Sequence, residues 1–141
     1  MCFLGTVSCG KVLVWPAEAS HWINIKTLLQ ELSLRGHDVT VLVHPGALLI
    51  DYDIPSPYNF EVFTTPITKE IKSTALNQFL HFWMQDLPKL SYWTSYGKMQ
   101  ELLARLTALE KQVCDSLLLN KTLVEKLRAQ KFDIFLSDPV V

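Results

Sequence analysis

The sequence has no marked excess of charge, no cysteine pair with metal-ligand spacing and no long apolar run. Lys and Arg number 13 against 14 Asp and Glu, which gives a formal net charge of −1. A balance this close to zero offers no electrostatic argument for a nucleic-acid partner. The three cysteines, Cys2, Cys9 and Cys114, form no CxxC pair, and an odd number excludes a fully paired intrachain disulfide framework. We therefore predict no metal site and expect buried or free thiols.

Glycine is missing from the loop after the first predicted strand. A dinucleotide-binding GxGxxG turn needs glycine so that the backbone can approach the pyrophosphate closely. Residues 16–20 read Pro-Ala-Glu-Ala-Ser, and no P-loop occurs elsewhere. An unrelated nucleotide-binding α/β domain is therefore disfavoured, and binding of an acceptor is the more natural role for this part of the sheet.

The N-terminus is apolar over residues 1–7, which is far short of the about 20 residues that span a bilayer. It also lacks the basic start of a complete signal peptide. Two interpretations stay open for residues 1–9: a residual signal-peptide stub and an ordinary disordered terminus. No other run approaches membrane-spanning length, so any membrane anchor either lies outside this sequence or does not exist.

A strand, a helix and a second strand are predicted at the start of the chain. Residues 12–15 form a continuous apolar run after Lys11, typical of a strand buried on both faces of a parallel sheet, and the first strand is predicted over 11–15. An amphipathic helix over 22–34 follows, with Ser20 as its expected N-cap and Gly36 at its end. The β-branched run over 38–43 predicts a second strand, parallel to the first.

The remaining pattern extends this fold. It predicts strands over 60–64 and 132–136 and helices over 68–86, 92–118 and 120–130. The fold class is therefore α/β, with a Rossmann-like, doubly wound parallel sheet that occupies residues 10–141. Because the sequence stops directly after a strand, where such a domain normally continues, we expect it to be the front part of a longer protein.

His21 and Asp138 are the candidate catalytic pair. Each follows the carboxyl end of a predicted parallel strand, and ligands bind beyond those ends. If the two strands are neighbours, the carboxylate can hold one imidazole nitrogen while the other nitrogen removes a proton from a hydroxyl. The alternatives are a capping or exposed loop histidine for His21 and a simple turn residue before Pro139 for Asp138.

Weaker candidates surround this pair. His37 is expected to close the turn before the second strand, and His81 to lie in the core or at an interface. His44 also follows a strand end and could line the rim, with a solvated loop histidine as the alternative. Aromatic side chains could line an apolar acceptor cleft, although most aromatics at helical spacing are core. The acceptor-binding candidates are Trp22, His44, Phe79 and Trp83.

Four segments stand out for their specific motifs: Cys9-Gly-Lys-Val-Leu-Val-Trp-Pro16, Ser20-His-Trp-Ile-Asn-Ile-Lys26, Arg35-Gly-His-Asp-Val-Thr-Val-Leu42 and Phe132-Asp-Ile-Phe-Leu-Ser-Asp-Pro139. Together they resemble one family, the vertebrate UDP-glucuronosyltransferases, and in particular its second subfamily. The likeness covers the chain from Cys9 to Val141.

The resemblance implies the N-terminal half-domain of a two-domain GT-B glycosyltransferase, truncated here. His21 would then be the catalytic base and Asp138 the aspartate that supports it. The family transfers glucuronic acid from UDP-glucuronic acid to hydroxyls of small lipophilic acceptors, with inversion and without a metal or other cofactor. The donor would bind mainly to the absent C-terminal domain, and a C-terminal helix would anchor the protein in the endoplasmic reticulum, facing the lumen.

Asn120 agrees with that placement, because Asn120-Lys-Thr is an N-glycosylation sequon. With donor domain, signature motif and anchor all absent, we expect the isolated chain to be inactive. The alternative is a non-catalytic, truncated interaction module. It would form homo- or hetero-oligomers with full-length relatives through its aromatic helices and change their activity.

Overall fold

The first strand, β1 (Lys11–Trp15), forms where the apolar run predicts it. A computed structural model of the chain describes residues 9–18 and 20–137, so Asp138 and most of the N-terminal stub lie outside the described residues. The other elements are α1 (Ser20–Leu34), β2 (Asp38–Val43), β3 (Asn59–Val62), α2 (Lys69–His81), α3 (Tyr92–Leu118), α4 (Lys121–Ala129) and β4 (Ile134–Ser137).

The four strands form one parallel sheet in the order β3-β2-β1-β4. Val14 of β1 is in register with Val41 of β2 on one side and with Leu136 of β4 on the other. This confirms the predicted α/β class with a Rossmann-like parallel sheet. The order runs outward from β1 through β2 to β3 and then reverses to β4, so the sheet has a topological switch point between β1 and β4.

The chain divides into two compact units. The first comprises residues up to 43, residues 49–63 and residues from 121 onward, and the second comprises residues 44–48 and 64–120. The core of the first unit is aliphatic: Val14, Val41 and Leu29 have no exposed surface. Leu29 lies on α1, which packs against β2, so burial of these side chains holds the helix on the sheet.

Helix α1 ends as the sequence predicts. Gly36 has a φ of +88°, a left-handed conformation that glycine adopts without steric cost. The amide of His37 donates to the Leu32 carbonyl at 3.1 Å and that of Gly36 to the Ser33 carbonyl at 3.0 Å, the two hydrogen bonds of a Schellman motif. At the other end the helix begins at Ser20; the predicted capping role of its side chain lies outside what the structure describes.

Polar groups tie β1 to its neighbours at the amino end of the sheet. The amide of Lys11 donates to the Asp133 carboxylate at 2.7 Å, and the amide of Asp133 donates back to the Lys11 carbonyl at 2.9 Å. The amide of Gly10 donates to Nδ1 of His37 at 3.2 Å. His37 therefore lies in the turn before β2, where it was predicted, and also binds the residue before β1, at the end of the sheet opposite the expected site.

The second unit is built on the packing of α2 against α3. Thr68 caps α2 and Ser91 caps α3, each accepting a hydrogen bond from an amide three residues on. The helix predicted over 68–86 keeps α-helical geometry only to His81. It widens into a π-helical turn over Phe82–Asp86 and then a 3₁₀ turn over Leu87–Lys89, because the ring of Pro88 cannot fit into a continuing α-helix.

Candidate functional site

His21 is the second residue of α1, and its side chain is exposed. A short loop joins the end of β1 at Trp15 to the start of this helix. A rigid strand and a rigid helix therefore fix the backbone on both sides of His21. This is the carboxyl end of the sheet, where open α/β sheets bind their ligands.

The neighbouring strands that the candidate pair requires are present. β4 lies directly beside β1, and Trp15 at the end of β1 is in register with Ser137 at the end of β4. Asp138 is the next residue in the chain and lies outside the described residues, so its contact with His21 stays a prediction. The described backbone brings together the two strand ends that precede His21 and Asp138.

The aromatic candidates have different environments. Trp22 is buried in the first unit, where its ring meets that of Tyr58 edge-on at a centroid distance of 6.3 Å. Burial raises the pKa of the Tyr58 hydroxyl above its ordinary value. In the second unit, the rings of Phe79 and Trp83 lie 6.0 Å apart, and Trp83 is half exposed. Acceptor contact by Trp22, Phe79 or Trp83 stays a prediction.

His44 is buried, so its interpretation as a solvated loop histidine is wrong. Its Nδ1 accepts a hydrogen bond from the Gly46 amide at 3.1 Å, and its Nε2 lies 3.5 Å from Nζ of Lys72. Lys72 is itself buried and forms an ion pair with Glu110 at 2.9 Å. These contacts fix the His44 ring within the second unit. Its predicted role in acceptor binding stays a prediction.

The buried ammonium group of Lys72 predicts a measurable effect on stability. Glu110→Gln keeps the shape of the side chain but removes the charge beside Lys72. We expect the free energy of unfolding to fall by about 1–3 kcal/mol, less than for a fully buried pair because Glu110 is 61% exposed. Equilibrium denaturation in urea measures the change.

A matched control lies on the same helix. Glu101 pairs with the exposed Lys98 at 2.8 Å, so Glu101→Gln should change stability by less than about 1 kcal/mol. Adding Lys72→Met to Glu110→Gln should restore part of the loss, because the buried charge is then gone. Equal effects of the two Glu→Gln changes would contradict this account.

A groove of about 660 Å³ lies within the second unit, a volume suited to a small molecule. Phe82 and Leu102 are its buried apolar residues. The side chain of His81 at its edge is 68% exposed and lies 3.3 Å from the Asp86 carboxylate, so the prediction of a core position for His81 is wrong.

Comparison with known proteins identifies the family. The family model described as UDP-glucoronosyl and UDP-glucosyl transferase matches residues 10–141. The chain belongs to this family of glycosyltransferases. The resemblance read from the four sequence segments is thereby confirmed.

Individual members of the family align along almost the whole chain. UDP-glucuronosyltransferase 2B1 of Rattus norvegicus is 41% identical over 140 residues, 99% of this chain and 26% of the relative. UDP-glucuronosyltransferase 2A3 of Cavia porcellus is 40% identical over 100% of this chain and 27% of its own length. UDP-glucuronosyltransferase 2B15 of Homo sapiens is 40% identical over 97% of this chain and 26% of its own length.

The chain thus spans about a quarter of the length of the curated relatives it matches. No solved structure matches it. Among the residues of this glycosyltransferase chain that the structure describes, no helix has both the length and the apolar character needed to cross a bilayer. Cys9 and Cys114, the described cysteines, are free thiols.

Sequence reasoning missed two functional or supporting groups. Asp133, which holds the start of β1, falls inside the segment predicted as strand. Lys72, which contacts His44, lies on an amphipathic helix where a lysine normally indicates a solvated face. Lys72 directly follows Ile71, which belongs to the apolar stripe of the helix but is 40% exposed. The spacing of the apolar residues therefore does not identify Lys72 as the buried residue.

Proposed function

We propose that this chain is the acceptor-binding part of a UDP-glucuronosyltransferase. The enzyme transfers glucuronic acid from UDP-glucuronic acid to a hydroxyl of a small lipophilic acceptor. The observation that carries the proposal is the pairing of β4 with β1 at the switch point. His21 follows β1 at this position, which is where open α/β sheets bind their ligands. UDP-glucuronosyltransferases at about 40% identity along the chain supply the reaction class.

In the proposed reaction, His21 acts as general base. One imidazole nitrogen takes the proton of the acceptor hydroxyl while the hydroxyl oxygen attacks the anomeric carbon of the sugar. The new C–O bond forms on the face opposite the departing UDP, so the configuration inverts, and no metal takes part. Asp138 accepts a hydrogen bond from the other imidazole nitrogen and stabilises the imidazolium that forms.

The donor would be held mainly by residues beyond this chain, in the part of the relatives that it does not match. Transition-state stabilisation needs the acceptor, the base and the donor in one cleft. We therefore expect no sugar transfer by the 141-residue chain alone.

A chimaera tests the proposal. The chain replaces the matching quarter of rat UDP-glucuronosyltransferase 2B1, and glucuronide formation from UDP-glucuronic acid is measured over a panel of phenols and steroids by mass spectrometry. We expect the chimaera to form glucuronide and the isolated chain to form none. A folded, UDP-binding chimaera without activity on any acceptor would count against the proposal, as would turnover by the isolated chain.

We propose further that the protein faces the lumen of the endoplasmic reticulum, where Asn120 can be glycosylated. Asn120 lies at the junction before α4 and is half-buried, with its backbone amide donating to the Leu117 carbonyl at 3.3 Å. Thr122 of the same sequon is exposed. A partly exposed turn at a helix junction is accessible to a modifying enzyme.

Expression in a secreting mammalian cell behind an added signal peptide tests whether Asn120 is glycosylated in the lumen. We expect a single increase in mass that endoglycosidase H removes, and that both Asn120→Gln and Thr122→Ala abolish. Asn77→Gln is the matched control, because Asn77 belongs to no sequon. An unmodified chain recovered from the lumen would show that the sequon is not used.

A further inference from the structure

A second groove lies within the second unit, at the end of α3. Its volume is about 460 Å³, which suits a single small molecule. Asn120, the attachment residue of the sequon, is one of the residues that line it. Any group joined to the Asn120 side chain therefore starts at this groove, here called the sequon groove. The lining residues are Pro66, Gln112, Asp115, Ser116, Leu119 and Asn120.

The two walls of the sequon groove are held together by contacts within the chain. Gln112, Ser116 and Leu119 follow one another at spacings of four and three residues, so the end of α3 presents them on one face. The Ser116 hydroxyl donates to the Gln112 carbonyl at 2.7 Å and lies 3.4 Å from the Thr65 hydroxyl oxygen. Thr65 precedes Pro66, whose ring restricts the backbone of the opposite wall. The sequon groove is therefore formed before any ligand occupies it.

The lining of the sequon groove matches the surface of a sugar. A pyranose ring has an apolar C–H face and a rim of hydroxyls, and N-acetylglucosamine adds a methyl group and an amide N–H. Pro66 and Leu119 supply apolar contact, and Leu119 is 77% exposed. Asp115 pairs with Lys111 at 2.6 Å. Because a carboxylate accepts several hydrogen bonds, Asp115 can also bind a sugar hydroxyl or amide while it keeps this pair.

The attachment point determines which molecule occupies the sequon groove. The groove is open to solvent, so a free sugar would bind it weakly. A sugar joined to Asn120 is present at an effective concentration in the millimolar range, so weak contacts are enough to hold it there. We propose that the first N-acetylglucosamine of a glycan on Asn120 packs in the sequon groove and joins the end of α3 to the segment before α2. This inference rests on the glycosylation of Asn120 proposed above.

The bound sugar should stabilise the folded chain. The sequon groove exists only while Thr65 and Pro66 lie against α3, so the sugar contacts the folded chain and not the unfolded one. With contacts of millimolar strength at a millimolar effective concentration, the folding equilibrium constant should rise by about two- to tenfold. Equilibrium denaturation in urea measures this ratio.

Three forms of the 141-residue chain separate the first sugar from the rest of the glycan. Mammalian cells that make only high-mannose glycans secrete the fully glycosylated form, and endoglycosidase H trims it to one N-acetylglucosamine. Bacteria supply the same sequence without a glycan. All three are unfolded in urea under reducing conditions, so that the thiols stay free. We expect the full and trimmed forms to have equal stability, with a folding constant about two- to tenfold above that of the bacterial form.

Variants test whether the sequon groove is the source of this gain. In Leu119→Ser, the ratio of folding constants between the trimmed and bacterial forms should fall close to one, because an apolar wall is lost. Leu118→Ser is the matched control, since Leu118 is the adjacent residue, is 60% exposed and does not line the groove. It should keep the ratio of the parent. Each variant is compared with its own unglycosylated form, so a change in its basal stability cancels.

A direct contact is also expected. In the trimmed form, nuclear Overhauser effects should connect the acetyl methyl protons of the sugar with the methyl protons of Leu119. Equal stability of the trimmed and bacterial forms, together with an absence of these effects, would overturn the inference and leave the glycosylation of Asn120 intact. An equal loss of the gain in Leu118→Ser would also overturn it. A secreted chain without any glycan on Asn120 would overturn both this inference and the proposed modification.

Discussion

Replacing His21 by Ala in the active chimaera is expected to lower kcat by about 10²–10⁴-fold, the usual worth of a positioned general base. The acceptor hydroxyl would then lose its proton only to water. KM for the acceptor should change much less, because the proton transfer belongs to the transition state and not to binding. Initial rates at saturating UDP-glucuronic acid and varied acceptor separate the two constants.

The control is Gln30→Ala, since Gln30 is exposed and lies further along the same helix as His21; it should leave kcat unchanged. Asp138→Asn should also lower kcat strongly. The double variant His21→Ala/Asp138→Asn should be little worse than His21→Ala, because the carboxylate acts only through the imidazole. A His21→Ala enzyme within a few-fold of the parent rate, or fully additive losses, would contradict the proposed pair.

Leu29→Ala is expected to lower the free energy of unfolding by about 2–5 kcal/mol. Leu29 has no exposed surface and lies on α1, the helix that packs against β2 and begins beside His21. Truncation removes buried methyl groups and leaves a cavity between helix and sheet. Denaturation in urea, followed by far-ultraviolet circular dichroism, measures the change.

Leu28→Ala is the matched control, because Leu28 is the adjacent residue of the same helix and is 49% exposed. It removes the same atoms from a half-solvated position, so its cost should stay below about 1 kcal/mol. If both variants lost the same stability, the packing of α1 on the sheet through Leu29 would not be the source of that stability.

Local signals predicted the elements well. The bounds of β1, β2 and α3 agree with the prediction residue for residue. An apolar run predicts β1, a β-branched run predicts β2 and a long apolar stripe predicts α3, and each of these patterns depends only on residues close together in the sequence. Gly36 and His37 were likewise predictable from the turn they form. The start of β4 was placed two residues too early, since Phe132 continues the apolar pattern while Asp133 turns to bind Lys11.

Long-range relations were only partly predictable. From the sequence, the pairing of β1 with β4 could only be assumed, because no local pattern shows which strands pair. The burial of Lys72 and His44 depends on Glu110 and Gly46. Among the site residues, His21 could be placed after the end of a strand from the sequence alone. Which strand lies beside it became clear only from the order of the strands in the sheet.

Residues that pair between β1 and β4 are 122 positions apart in the chain, as for Val12 and Ile134. When the ribosome makes this protein, β1 and β2 can pair early, but the other edge of β1 has no strand to bind until β4 emerges. At about 5–20 residues per second, this interval lasts about 6–25 s. During that time an apolar edge with free amides and carbonyls can recruit a strand from another chain. Correct assembly of the nascent protein therefore depends on keeping that edge covered until β4 arrives.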